Sequence, residues 1–118
     1  VGLDPYEEYF EEGRAVDHFA EMANAQEHVD RFTDRASLVK KSSHDRSLAH
    51  LVPDSSIDLL FIDGDHDREA LEKDLAIWGP KVRCGGIIAG DDLFMNEVPR
   101  VVWEQFGGRP IFVSGKMF

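Results

Sequence analysis

Two rhythms of apolar and polar positions run along this chain, and they change most sharply between Ile57 and Asp92, IDLLFIDGDHDREALEKDLAIWGPKVRCGGIIAGDD. Ile57 to Ile62 is apolar except for Asp58. So short and β-rich a run predicts a strand buried on both faces. It breaks off at Asp63-Gly64-Asp65-His66. Leu71, Leu75 and Trp78 then recur at i, i+4 and i+7, which predicts one apolar face of a helix over 67–78. Gly85-Gly86 predicts a turn, and Ile87-Ile88-Ala89 a second strand that ends at Gly90-Asp91-Asp92. Strand, helix and strand make a βαβ unit, whose two strands run parallel through a right-handed crossover. Both acidic turns are therefore expected at one C-terminal sheet edge, where open α/β sheets bind their ligands.

The flanks extend the alternation. Val1-Gly2-Leu3 reads as the tail of a strand, stopped by Asp4-Pro5 because proline cannot donate to a ladder. Tyr6 to Gly13 predicts a loop or short helix. Arg14 to Phe32 predicts an amphipathic helix with Val16, Phe19, Met22, Ala23, Val29 and Phe32 near one face. A short strand over 36–40 follows, then a brief helix to Leu51 capped by Ser43 or Asp45. Pro99 suits the first turn of a helix that ends near Phe106, before Gly107-Gly108. Ile111-Phe112-Val113 and Met117-Phe118 flank Ser114-Gly115-Lys116, a hairpin pattern. The fold class expected is α/β: a Rossmann-like, doubly wound, mostly parallel sheet with an antiparallel edge hairpin. Trp78, Trp103, Phe19, Phe32, Phe61 and Phe106 are expected in its core. The chain opens at Val1 and closes at Phe118 inside apolar runs, as a piece of a longer domain would.

Composition narrows the partners. At 118 residues the chain is expected to be one domain, 1–118. A net charge of −10 argues against a nucleic-acid or anionic membrane surface. No apolar run reaches the length of a membrane span. Cys84 is the single cysteine, which excludes an internal disulfide and a cysteine zinc cluster, and a reducing cytoplasm is the expected compartment.

The chemistry concentrates in the acidic turns. Neighbouring strands lie about 4.8 Å apart, so Asp63, Asp91 and Asp92 can converge. Carboxylates that close repel one another, and a divalent cation removes the conflict. An all-oxygen set favours Mg²⁺, with Mn²⁺ or Ca²⁺ open. The plain alternative is that Asp91 or Asp92 caps the next segment, and that Asp65 or Asp67 caps the helix at 67–78, the reading preferred for Asp67. His66, three residues beyond Asp63, could take a proton near neutral pH; otherwise it is a solvated turn histidine. His18, His28, His44 and His50 have no such neighbours and read as surface residues. Asp4, at a strand end, could bind the two hydroxyls of a ribose, or simply form the turn before Pro5.

These residues carry a family likeness. FIDGDHDREALEKDLAIW, the Gly-Gly turn and IIAGDD resemble the second half of a class I S-adenosylmethionine-dependent methyltransferase. More narrowly they resemble the metal-dependent O-methyltransferases of the macrocin and antibiotic-sugar type, most strongly over Ile57 to Gly107. The resemblance implies Mg²⁺ on Asp63, Asp91 and Asp92, and His66 as general base. It also implies a cofactor gripped at Asp4, with Ser42 and Ser43 at the adenine and Asp63 beside it. Ser42 stands where the family usually has an acidic residue. The acceptor implied is a small hydroxylated molecule. The family's first strand and glycine-rich loop would precede Val1, with that strand lying between those ending at Asp4 and Asp63. Its absence would leave unpaired strand edges. These would be satisfied by the strand ending at Leu3 moving in beside 57–62, by a second copy of the chain, or by residues before Val1 in the natural protein. The last is expected, with a homo-oligomer expected of this chain alone. Two other readings compete: a truncated, non-catalytic Rossmann-like module that binds metal or a partner chain, and a metal-dependent hydrolase or phosphoryl-transfer domain. The last lacks a phosphate-cradling loop and a lysine placed for one.

Overall fold

The computed structural model describes residues 1–6, 10–11, 14–15 and 18–118, with the side chains of 10, 11, 14, 15 and 18 left aside. They form two compact units, Val1–Asp45 and Arg46–Phe118. In the first, β1 (Gly2–Asp4) pairs in parallel with β4 (Leu38–Lys40), Asp4 opposite Lys40. Between them come a two-residue antiparallel pair, β2 (Phe10–Glu11) and β3 (Arg14–Ala15), and the helix α1 (His18–Asp30). The expected helix from Arg14 thus starts later, because Arg14 and Ala15 pair with β2 instead. Met22, Ala25 and Val29 are half-buried at helical spacing. Val16, expected on the apolar face, lies outside the described residues, as do parts of the loop expected from Tyr6 to Gly13.

The second unit holds the βαβ core. A short helix α2 (Arg46–Ala49) precedes β5 (Ile57–Ile62). Helix α3 (Arg68–Trp78) and one 3₁₀ turn (Gly79–Lys81) then lead into β6 (Val82–Gly90), parallel to β5. Helix α4 (Val98–Phe106) follows, with proline in its first turn and Gly107 at its end. The architecture is α/β, parallel strand pairs joined through helices, as the alternation predicted. Among the described residues, β1 pairs with β4 within the first unit and β5 with β6 within the second.

Two local expectations change. Gly85-Gly86 is not a turn before the strand but a bulge inside it: Ile57 pairs with Val82, and Leu59 already with Ile87. Gly85 takes the left-handed φ of 76° that this irregularity needs and that a side chain would resist. The hairpin over 111–118 contracts to a tight turn closed by Ser114 and Met117. Beyond it, Phe118 and Gly90 exchange both backbone hydrogen bonds at 3.1 Å, so the chain end lies along the tip of β6.

The core sits on one face of the β5–β6 pair. Ile62, Leu71, Leu75, Leu93, Val98, Val101 and Val102 are buried together, with Leu60, Ile88, Phe106, Ile111 and Phe118 packed against them. Trp78 is buried as the helical periodicity predicted. Leu59 and Phe61 are not: strand alternation turns them to the opposite face, where they remain half-exposed or more. A strand buried on both faces is therefore corrected to one buried on one face within this unit. Trp103, Phe19 and Phe32 are also exposed rather than in a core. Trp103 follows Val102 by about 100° around the helix and turns out of the Val98–Val101–Val102 stripe. Phe19 and Phe32 instead carry cations, Lys40 at 5.8 Å and Arg35 at 4.9 Å from the ring centres.

Candidate functional site

The parallel ladder delivers the acidic residues. Ile62 is opposite Gly90, and the ladder runs one step further, the Asp91 N–H donating to the Ile62 carbonyl at 3.1 Å. Asp63 and Asp91 consequently leave adjacent strand ends side by side. Side chains alternate in an extended strand, so Asp91 and Asp92 would ordinarily point apart. Asp92 avoids this with a left-handed φ of 53°, which bends the chain directly after β6. One oxygen each from Asp63, Asp91 and Asp92 then lies within 4.8 Å of the others. The convergence expected from sequence is what the backbone builds.

Gly90 is part of the same construction. A Cβ there would lie 2.8 Å from the Ile62 carbonyl oxygen and 2.7 Å from a ring carbon of Phe118. Only glycine lets both approach the strand end that carries the aspartates.

His66 joins this cluster. Its Nε2 lies 2.7 Å from Asp92 Oδ2. A carboxylate only accepts hydrogen bonds, so Nε2 carries the proton and the neutral ring keeps its lone pair on Nδ1. Asp92 thus orients the ring and sets its tautomer. The turn histidine is neither free nor merely solvated. Asp67 does occupy the N-cap position of α3, with extended backbone, but its side chain makes no capping hydrogen bond. The Asp65 carboxylate accepts the Asp67 N–H at 3.0 Å instead.

Sequence reasoning missed Lys116. Its Nζ lies 2.9 Å from Asp92 Oδ1 and 3.0 Å from Asp91 Oδ2, reaching both from the tight turn at the chain end. Nothing in residue spacing links position 116 to 91 and 92; the only clue was the Ser-Gly-Lys turn itself. Hydrogen bonding from Lys116 holds the Asp92 carboxyl below the ordinary carboxylate range, against the opposing effect of burial and with help from His66. The same bonds, to Asp92 first and Asp91 second, raise the Lys116 ammonium above the usual lysine range. Among the described residues, Asp91 Oδ1 is buried with no hydrogen-bond partner. A buried carboxylate oxygen without a donor is costly, and a bound cation would satisfy it. Three convergent carboxylates with such an oxygen fit a hard divalent ion.

The residues expected at a nucleotide lie in the first unit. Asp4 ends β1, and Ser42 and Ser43 follow β4, at the same edge of that parallel pair. Asp4 Oδ1 accepts the Tyr6 N–H at 2.7 Å, so one of its oxygens forms the turn. Ser42 Oγ accepts the His44 N–H at 3.2 Å. A cavity of about 320 Å³ in the second unit, lined by Leu75, Ala76, Pro80, Ile88, Phe106 and Arg109 among others, lies apart from the chemistry. None of Asp63, His66, Asp91 or Asp92 lines it. Among the described residues no helix is long and apolar enough to cross a membrane.

Residues 3–93 match a family model described as a methyltransferase domain. No curated protein matches the chain.

Proposed function

The chain belongs to this methyltransferase-domain family, and from that premise we propose that it is a divalent-metal-dependent O-methyltransferase acting on a hydroxyl of a small molecule. Methyltransferase domains use S-adenosylmethionine as the methyl donor. Asp4, Ser42 and Ser43 are assigned to its ribose and adenine. The single observation that carries the reading is the convergence of Asp63, Asp91 and Asp92 with His66 hydrogen-bonded to Asp92.

Asp63, Asp91 and Asp92 would hold the ion, Mg²⁺ first. When bound, it supplies positive charge that stabilises a deprotonated hydroxyl oxygen. The residues do the remainder. Asp92 holds the His66 ring through Nε2–H, and His66 takes the hydroxyl proton at Nδ1. When bound, S-adenosylmethionine would supply a sulfonium methyl to the acceptor oxygen, the carbon–sulfur bond breaking to give S-adenosylhomocysteine, and His66 would keep the proton. Positioning and charge stabilisation account for the rate.

Calorimetry with S-adenosylhomocysteine and Mg²⁺, on the wild type and Asp91→Asn, tests this reading. Mg²⁺ is expected to bind the wild type and to bind Asp91→Asn at least about tenfold more weakly, with an unchanged circular dichroism spectrum. Equal Mg²⁺ binding by both, or none by the wild type, would remove the metal. A second reading, a Rossmann-like module that transfers nothing, is favoured by one observation: Lys116 already bridges Asp91 and Asp92. Methyl transfer to a hydroxylated acceptor that stops in His66→Ala separates the two.

A further inference from the structure

Lys116 sits on two of the three carboxylates a metal would need. Its ammonium bridges Asp91 Oδ2 and Asp92 Oδ1, while the other Asp92 oxygen is taken by His66. Three carboxylates carry three negative charges, and the ammonium offsets one of them. A divalent ion seated on the same carboxylates would stand within about 4 Å of that ammonium, where two cations repel strongly in a partly desolvated site. That repulsion sets the ammonium and the ion in competition for Asp91 and Asp92.

The chain around Lys116 allows the side chain to yield. Its backbone is anchored: the Leu93 N–H donates to the Lys116 carbonyl at 2.7 Å, and Phe118 pairs with Gly90. Its side chain is 62% exposed on a flexible four-carbon stem. The ammonium can swing into solvent while the turn stays in place.

We infer that Lys116 is a competing cation built into the site. It holds Asp91 and Asp92 together when no ion is bound, and it must leave them for a divalent ion to enter. This rests on the reading of Asp63, Asp91 and Asp92 as the ion's ligands. It sets the concentration at which the ion binds, so the chain would respond to the divalent-ion level rather than hold an ion permanently.

The test is calorimetric titration of Mg²⁺ and Mn²⁺ into the wild type, Lys116→Met and Lys116→Arg at one pH and ionic strength. Lys116→Met is expected to bind the ion about tenfold more tightly, a difference of about 1.4 kcal/mol. Lys116→Arg, which keeps the charge, is expected to stay near the wild type. In the wild type, the Lys116 side-chain resonance, identified by its loss in Lys116→Arg, is expected to move toward that of free lysine as Mg²⁺ is added. A purely structural role would weaken ion binding in Lys116→Met. Equal or weaker binding by Lys116→Met, with the wild type still binding, overturns the competition and leaves the metal site standing. No ion binding by either protein overturns the site and this inference with it. Should Lys116→Met not fold, the lysine resonance decides alone: one that stays put at saturating Mg²⁺ overturns the proposal.

Discussion

At the scale of single residues, the site is an electrostatic arrangement with a defined pH window. The folded Asp92 carboxyl is held low, chiefly by Lys116, and the Lys116 ammonium is held high by Asp92 and Asp91. A lowered carboxyl contributes stability that is present above its unfolded pKa of about 4 and is lost as pH falls through the folded value. A raised lysine contributes stability that is present below about pH 10 and is lost as pH rises through its folded value. The bridge is therefore complete between those limits. Urea unfolding midpoints of the wild type and Lys116→Met should differ at pH 7 and converge as the pH falls below about 4. A gap that stays constant into acid would show that Lys116 contributes through packing and not charge. Asp63, Asp91, Asp92 and His66 were legible in sequence because each closes a turn at a strand end. Lys116 was not, because an ion pair between distant residues leaves no periodic trace.

At the scale of elements, helical stripes and strand alternation decide which side chains carry weight. Leu71, on the inner face of α3, is 3% exposed, whereas Trp103 on the outer side of α4 is 67% exposed. Leu71→Ala should cost about 2–5 kcal/mol, measured by denaturant titration, because a cavity opens under the sheet. Trp103→Ala should change stability by less than about 0.5 kcal/mol. Comparable losses for both would contradict the packing described for this unit. Arg68 adds a polar clasp over the same helices, meeting Glu72 on α3, Glu104 on α4 and Glu97 beside it. The helical face of α3 could be read from three apolar positions. Reading Trp103 as core failed because aromatic character says nothing about which way a helix turns it.

At the scale of the molecule, the open flank of β5 is the feature with consequences. Among the described residues, β5 hydrogen-bonds to β6 alone, and each parallel pair is a sheet of two strands. An unpaired strand edge beside the exposed Leu59 and Phe61 is a template for pairing with another strand. Sedimentation velocity of the 118-residue chain should show a species heavier than the monomer, and Phe61→Lys should shift it toward the monomer. A monomer at every concentration would show that the edge is protected in solution.

What the sequence determined by itself was local: the strand and helix rhythms of the βαβ unit, and two acidic turns at one edge. The hydrophobic period reports each element directly, and the parallel crossover rule carries both turns to the same side. Tertiary structure alone decided the rest. It decided which face of β5 is covered, because a buried run looks the same whether one face or both are packed. It joined His66 to Asp92 through the left-handed turn at Asp92, which no propensity requires. And it laid the chain end along β6, bringing a lysine to carboxylates that lie 24 and 25 positions away.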